Sequence, residues 1–203
     1  GELWYRSHFP LKKNIKNFQK TVEASPLYIF NPIAPKRIYN LLPQVKLIAI
    51  LRNPVERAIS HYFHEHRKGR EPLSIMDAFQ AEEDRLKSSL ENQDYKNNMF
   101  RHYSYKKRGI YHEQLSRYLK YFERQNILIL NSEDFFTKPH DTLKRVFRFI
   151  DIDTTFTVDD TNPRNVAGNK TNVDHHVYEY LQDYFQNHNK KLYDLIGEGF
   201  EWA

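Results

Sequence analysis

The chain has no cysteine. That excludes disulfides, thiolate nucleophiles and cysteine-based zinc sites, and it fits a reducing cytoplasm. No apolar run approaches the roughly 20 residues of a membrane-spanning helix, and no stretch reads as a signal peptide. Glycine is scarce, with six in 203 residues, and none stands in the strand–loop–helix context of a phosphate-binding loop. Gly168-Asn169-Lys170-Thr171 has a superficial likeness to one, but it follows a Pro-containing loop and lacks Walker spacing, so a P-loop kinase is excluded. Internal repeats and low-complexity segments are missing too. Charge of neither sign dominates. Thirty-one Lys and Arg against 26 Asp and Glu give a net +5, which admits an anionic partner without making the basic footprint expected of a nucleic-acid binder.

What remains reads as one globular domain, residues 1–203. Hydrophobic residues make up 39% and charged residues 28%, a balance that buries a core at this length. Much of the core is aromatic, given 14 Tyr and 14 Phe. Leu27 to Phe30 is a short apolar run and a candidate strand. A helix is expected from Pro35 to Leu42. Val45 to Leu51 (VKLIAIL) is apolar almost throughout and reads as a strand buried on both faces, as in a parallel sheet covered by helices. Arg52-Asn53 is a tight connection, Pro54 opens a helix and Gly69 closes it. Ser74 and Asp77 have capping-box spacing and predict a helix through Ser88. Glu91 to Lys107 is polar and Tyr-rich, and reads as irregular or weakly helical. Ile110 to Phe122 is an amphipathic helix, Asn126 to Leu130 (NILIL) a second buried strand, and Pro139 to Ile150 and His175 to Ile196 are further helices. Strand alternating with helix predicts an α/β fold with a parallel sheet flanked by helices.

The segment Leu47 to Phe63, LIAILRNPVERAISHYF, carries the chemistry. A buried strand delivers Arg52 to its C-terminal edge, where open α/β sheets bind ligands. The helix from Pro54 points its positive end and free N–H groups into the same crevice. Ser60, in the second turn, offers a hydroxyl, and Arg57 stands one turn before it. A guanidinium, a hydroxyl and a helix start suit a terminal phosphate dianion. His61, His64, Glu65 and His66 cluster on this helix, but zinc needs three or four converging ligands, and a solvated, partly basic helix face accounts for them. No metal is expected.

LRNPVERAISHYF resembles the 3′-phosphate-binding segment of sulfotransferases that use 3′-phosphoadenosine 5′-phosphosulfate (PAPS), particularly the heparan-sulfate and bacterial types. TVEASPLYIFNPIAPKRIYNLLP, RGIYHEQLSRYLKYFERQNILILNSEDFFTKP and LQDYFQNHNKKLYDLIGEGFEW resemble further family segments, in the family's order. The resemblance implies a P-loop-NTPase-like sulfotransferase fold, with Arg52 and Ser60 holding the donor's 3′-phosphate. It implies sulfonyl transfer from PAPS to a hydroxyl or amine of a carbohydrate, lipid or polyketide-like acceptor, releasing 3′-phosphoadenosine 5′-phosphate (PAP). Arg164 and Lys170, in a basic loop, match residues that close over the donor in relatives, and Arg57 is a further candidate for holding phosphate. Tyr111 matches a recurrent aromatic, with packing as its expected role.

Two features of that family are not found. They are the phosphosulfate loop near the domain's start and the Glu base just after it, which the resemblance places upstream of Gly1. Ala24 stands where a Lys often follows a Glu. The match begins mid-domain, so the chain is expected to lack the family's N-terminal strand, loop and helix. Glu23 is then the residue left to act as base, against an alternative of structural pairing. A non-catalytic PAP- or polyanion-binding module is the rival reading. A Golgi location would follow for a eukaryotic secretory enzyme.

Overall fold

The computed structural model describes residues 2–10, 20–162 and 173–202. Two parallel strands lie at its centre, β1 (Leu47–Leu51) and β2 (Ile127–Asn131), paired from Leu47 with Ile127 to Leu51 with Asn131. Among the described residues they form a two-stranded sheet. The expected parallel α/β arrangement is present.

One face of this sheet is packed. Leu51, Ile127 and Ile129 meet Tyr111, Leu115 and Tyr118 of one helix, together with Phe122, Leu192 and Phe200. The other face of β1 is open, with Ile48 36% and Ile50 54% exposed. The expectation of burial on both faces therefore fails for β1. The apolar run reflects strand character, but among the described residues no element covers that side.

The helices in chain order are α1 (Glu2–Arg6), α2 (Ala34–Leu41), α3 (Pro54–Arg67), α4 (Ile75–Gln80), α5 (Glu82–Glu91), α6 (Asn98–His102), α7 (Tyr111–Leu119), α8 (Ser132–Thr137), α9 (Pro139–Phe149) and α10 (His175–Ile196). Helices α1 and α8 lie where the sequence predicts no helix, and α6 lies in the polar, Tyr-rich segment. The end of α3 is a full Schellman motif. Gly69 takes φ +67°, its N–H donates to His66 O, and the Arg70 N–H reaches back to Glu65 O at 3.0 Å. Ser74 caps α4 by accepting from the Asp77 N–H, but the helix expected to run on through Ser88 breaks at Ala81, where α5 starts afresh.

Leu27 to Phe30 is turn rather than strand. Its carbonyls are held by side chains of α7: the Tyr118 hydroxyl donates to Tyr28 O and the Arg117 guanidinium to Phe30 O. Backbone tied to side chains in this way is not offered to a strand ladder.

A second core lies between α3, α4 and α10. It joins Val55, Ala58, Ile59 and Tyr62 to Phe79, Tyr105, Leu181 and Phe185. α10 belongs to both cores, through Val177, Leu181 and Phe185 at one end and Leu192 at the other. The sheet edge and α3 are thus fixed to a common spine.

Candidate functional site

Arg52 leaves β1 at its C-terminal edge and is 40% exposed. Asn53 caps α3, its Oδ1 accepting from the Val55 N–H at 2.9 Å and the Glu56 N–H at 3.4 Å. Pro54 occupies the first helical position, where a missing N–H costs nothing. The helix start therefore keeps its dipole, but two of the N–H groups expected to be free already have a partner. That corrects the expectation that these N–H groups stand open to a ligand.

The Arg52 guanidinium lies 3.7 Å from the Glu56 carboxylate. Glu56 and Ser60 are four residues apart on α3 and so lie one above the other on the same face. Positions 52, 56 and 60 form a single stripe, with the guanidinium at its upper end and the half-buried Ser60 hydroxyl below. Arg57 turns the other way and donates to Tyr105 O, a contact that ties α3 to the second core. Burial pushes its guanidinium pKa down, Tyr111 and Glu82 oppose this, and Arg52 adds to it.

The peptide joining Arg52 to Asn53 is gripped on both sides. The Tyr111 hydroxyl donates to Arg52 O at 2.9 Å, and the Asn53 N–H donates to Glu133 Oε1 at 3.1 Å. Glu133 also accepts from the Trp202 indole N–H at 3.3 Å, which Asn131 Oδ1 shares at 3.2 Å. Sequence reasoning passed over Glu133. No sequence signal marks it, because only the parallel register, with Leu51 level with Asn131, brings positions 53 and 133 to the same edge.

Of the α3 face read as solvated, His64 and His66 are exposed, while His61 is half-buried and Glu65 is internal. Glu65 is 3% exposed, binds Arg70 at 2.9 Å and His102 at 3.3 Å, and has His61 and His64 just beyond. Burial first, then the neighbouring Arg57 and Arg108, push the His61 pKa down to about 2, so its ring is neutral.

Glu23 is exposed and is the acceptor for the Tyr28 hydroxyl, whose pKa burial and this carboxylate push up. Tyr28 is anchored by Tyr118, while the Arg52 peptide is anchored by Tyr111, seven residues earlier on α7. Among the described residues no hydrogen bond or ion pair joins Glu23 to Arg52 or Ser60. Gly1, Arg164 and Lys170 lie outside the described residues. The base expected upstream of Gly1 falls outside them as well, so the structure supplies no geometry for it.

A model of the sulfotransferase domain family matches residues 5–195. The chain belongs to that family. It is 24% identical over its whole length to a membrane-associated sulfotransferase, kil1, of Dictyostelium discoideum, and 27% identical to heparan sulfate glucosamine 3-O-sulfotransferase 6 of Mus musculus. It spans 57% and 61% of the lengths of these two relatives. A crystal structure of a sulfotransferase from Alicyclobacillus acidocaldarius superimposes with a TM-score of 0.80 and 28% identity, over 98% of this chain and 72% of that one. The resemblance read from LRNPVERAISHYF and its flanking segments is borne out, and with it the α/β sulfotransferase fold. Among the described residues no helix is long and apolar enough to cross a membrane.

Proposed function

We propose that the protein binds PAPS with its 3′-phosphate against Arg52 and Ser60, and serves in-line transfer of the sulfonyl group to a hydroxyl or amine of an acceptor, carbohydrates foremost. The acceptor oxygen or nitrogen forms a bond to sulfur as the bond from sulfur to the 5′-phosphate oxygen breaks, the acceptor proton passes to a base, and PAP leaves. Such transfer depends mainly on positioning and charge stabilisation. Tight binding of the remote 3′-phosphate orients the reacting end. The observation that carries this reading is the Arg52–Glu56 contact at 3.7 Å, which sets the guanidinium above the helix stripe holding Ser60. The 3′-phosphate and the sulfur are at opposite ends of the donor, so the base belongs away from Arg52. Within these 203 residues Glu23 is proposed for it, with a Glu upstream of Gly1 as the alternative. Arg164 and Lys170 are proposed as further donor contacts, whereas Arg57, turned to Tyr105 O, is not.

The open outer face of β1 at Ile48 and Ile50 supports a second part of the reading. A further strand, loop and helix would cover it and bring the phosphosulfate contacts.

Titration calorimetry with PAP and with adenosine 5′-phosphate tests the 3′-phosphate assignment. PAP is expected to bind more tightly, and Arg52→Ala to remove about 1.5–3 kcal/mol of that preference. Equal affinity for the two nucleotides overturns it.

A further inference from the structure

One peptide plane at the sheet edge has both of its polar groups held by side chains from remote parts of the chain. The carbonyl of Arg52 accepts from the Tyr111 hydroxyl at 2.9 Å, across 59 positions. The N–H of Asn53, on the opposite side of the same plane, donates to Glu133 Oε1 at 3.1 Å, across 80 positions. A peptide is a rigid unit, and its orientation is set by the soft torsions on either side of it. Fixing the plane at both ends fixes the direction in which the Arg52 side chain departs. It also sets the start of α3, since Asn53 is the cap.

Glu133 is itself held in place. Its backbone N–H donates to Asn131 Oδ1 at 3.4 Å, and its Oε2 accepts from the Trp202 indole. Trp202 stacks at a tilt on Tyr111, Tyr193 and Phe200. The Tyr193 hydroxyl donates to Phe200 O at 2.7 Å and so holds the segment bearing Trp202 against α10. Tyr111, Glu133 and Trp202 thus form one unit behind the edge from which Arg52 projects.

We infer that Tyr111 and Glu133 are positioning residues that clamp the Arg52–Asn53 peptide and so aim the Arg52 guanidinium at the 3′-phosphate, with Trp202 bracing Glu133. This rests on the reading of Arg52 as a phosphate contact. Neither residue touches the donor. Their effect is confined to the part of the affinity that Arg52 supplies, which is what separates positioning from general support of the fold.

The test is a double-mutant cycle read as the ratio of PAP affinity to adenosine 5′-phosphate affinity, measured by calorimetry on the full 203-residue chain. Glu133→Gln keeps the volume but loses the charge that accepts both N–H groups, and because the amide oxygen can still accept from one of them it is expected to lower the ratio about 5–10-fold, the size of one ordinary hydrogen bond. Adenosine 5′-phosphate binding stays the same. In the Arg52→Ala background the same substitution leaves the ratio unchanged, because no guanidinium remains to aim. Tyr111→Phe, which removes only the hydroxyl, follows the same pattern and covers the case in which Glu133→Gln fails to fold. If the wild-type chain prefers PAP and Arg52→Ala abolishes that preference, while Glu133→Gln and Tyr111→Phe keep it, the positioning role is wrong and the phosphate reading stands. If the wild-type chain shows no preference for PAP, the phosphate reading fails and takes this inference with it.

Discussion

Gly109 is packed directly against Pro54. A Cβ at position 109 would lie 2.9 Å from the Pro54 Cβ and 2.6 Å from Cε1 of Phe185. The first residue of the helix that carries the candidate site therefore rests on a bare α carbon, and α10 closes the gap from the other side. Gly109→Ala has to displace the proline or the buried ring. Overpacking of this kind costs about 1–3 kcal/mol. We expect a lower denaturation midpoint in urea, and weaker PAP binding as Pro54 shifts. An unchanged midpoint would show that the contact relaxes freely.

Glu56 is poised between two roles. Beside Arg52 it holds the guanidinium over α3, yet a carboxylate there opposes an arriving phosphate dianion. Both side chains are partly exposed, 40% for Arg52 and 29% for Glu56, so the ion pair itself is worth about 1 kcal/mol or less. Repulsion outweighs it once the phosphate is bound. Glu56→Gln is therefore expected to tighten PAP about 2–5-fold in calorimetry, with adenosine 5′-phosphate unaffected. Weaker PAP binding would mean that preordering of Arg52 dominates.

The elements that position this site were legible in the sequence where the signal is local. Pro54 and Gly69 marked the two ends of α3, and the apolar runs at Leu47 and Ile127 marked neighbouring strands. Arg52 could be placed at a strand end because strand and helix were both evident. The Tyr111–Arg52 and Asn53–Glu133 contacts were not legible, because each depends on how α7 and β2 stack beside β1. The Leu27–Phe30 run misled for a related reason. Its apolar residues are real, but its carbonyls are claimed by Tyr118 and Arg117 from a helix far along the chain.

Glu71 anchors the second core through a buried ion pair. Its carboxylate takes both ends of Arg85, at 2.5 and 3.1 Å, together with the Tyr105 hydroxyl at 2.7 Å and the Leu73 N–H. Burial pushes its pKa up, but the bonds from Arg85, Tyr105 and Leu73 outweigh that and leave it below 4.5. Arg85 keeps 20% exposure, so removing the carboxylate costs less than the about 3–5 kcal/mol of a fully buried pair but still leaves the Tyr105 hydroxyl and Leu73 N–H without their acceptor. Glu71→Ala should lower the melting temperature steeply or prevent folding, whereas the milder Glu71→Gln keeps part of the network. A melting temperature equal to that of the wild type for Glu71→Ala would contradict the pairing.

Acid should weaken the fold through His61. Its folded pKa of about 2 lies far below the ordinary 6.5. The unfolded chain therefore takes up a proton that the folded one refuses. For a depressed histidine the stability is fully present above about pH 6.5 and is lost as pH falls below it. Arg57, Arg108, His64 and His102 all oppose the charge, and Glu65 at 3.9 Å is the group that would favour it. Denaturation by urea between about pH 7 and pH 4.5 should show a declining free energy, and His61→Leu should make that decline shallower. Parallel pH profiles for the two proteins would remove His61 as the cause.

The outer face of β1 carries the last prediction. Ile48 and Ile50 leave apolar surface in water on a strand whose opposite face is packed, and Arg52 and Ser60 are proposed to hold only the far end of the donor. The phosphosulfate loop that the family resemblance leads one to expect is not found in the sequence. Loss of one group that stabilises charge developing on a leaving group typically lowers a rate on the order of 10²–10³. We therefore expect these 203 residues alone to bind PAP but transfer sulfonyl groups at least that much more slowly than the same chain preceded by a further strand, loop and helix, about 50–60 residues by ordinary domain sizes. The assay is transfer from labelled PAPS to a panel of sugar and alkyl acceptors, run on both proteins. Covering the face should also protect it, so Ile50→Lys is expected to cost little in the short chain and a great deal in the long one. Equal rates in the two proteins would show that no base upstream of Gly1 is needed, and Glu23→Gln would then be the first substitution to make in search of the base.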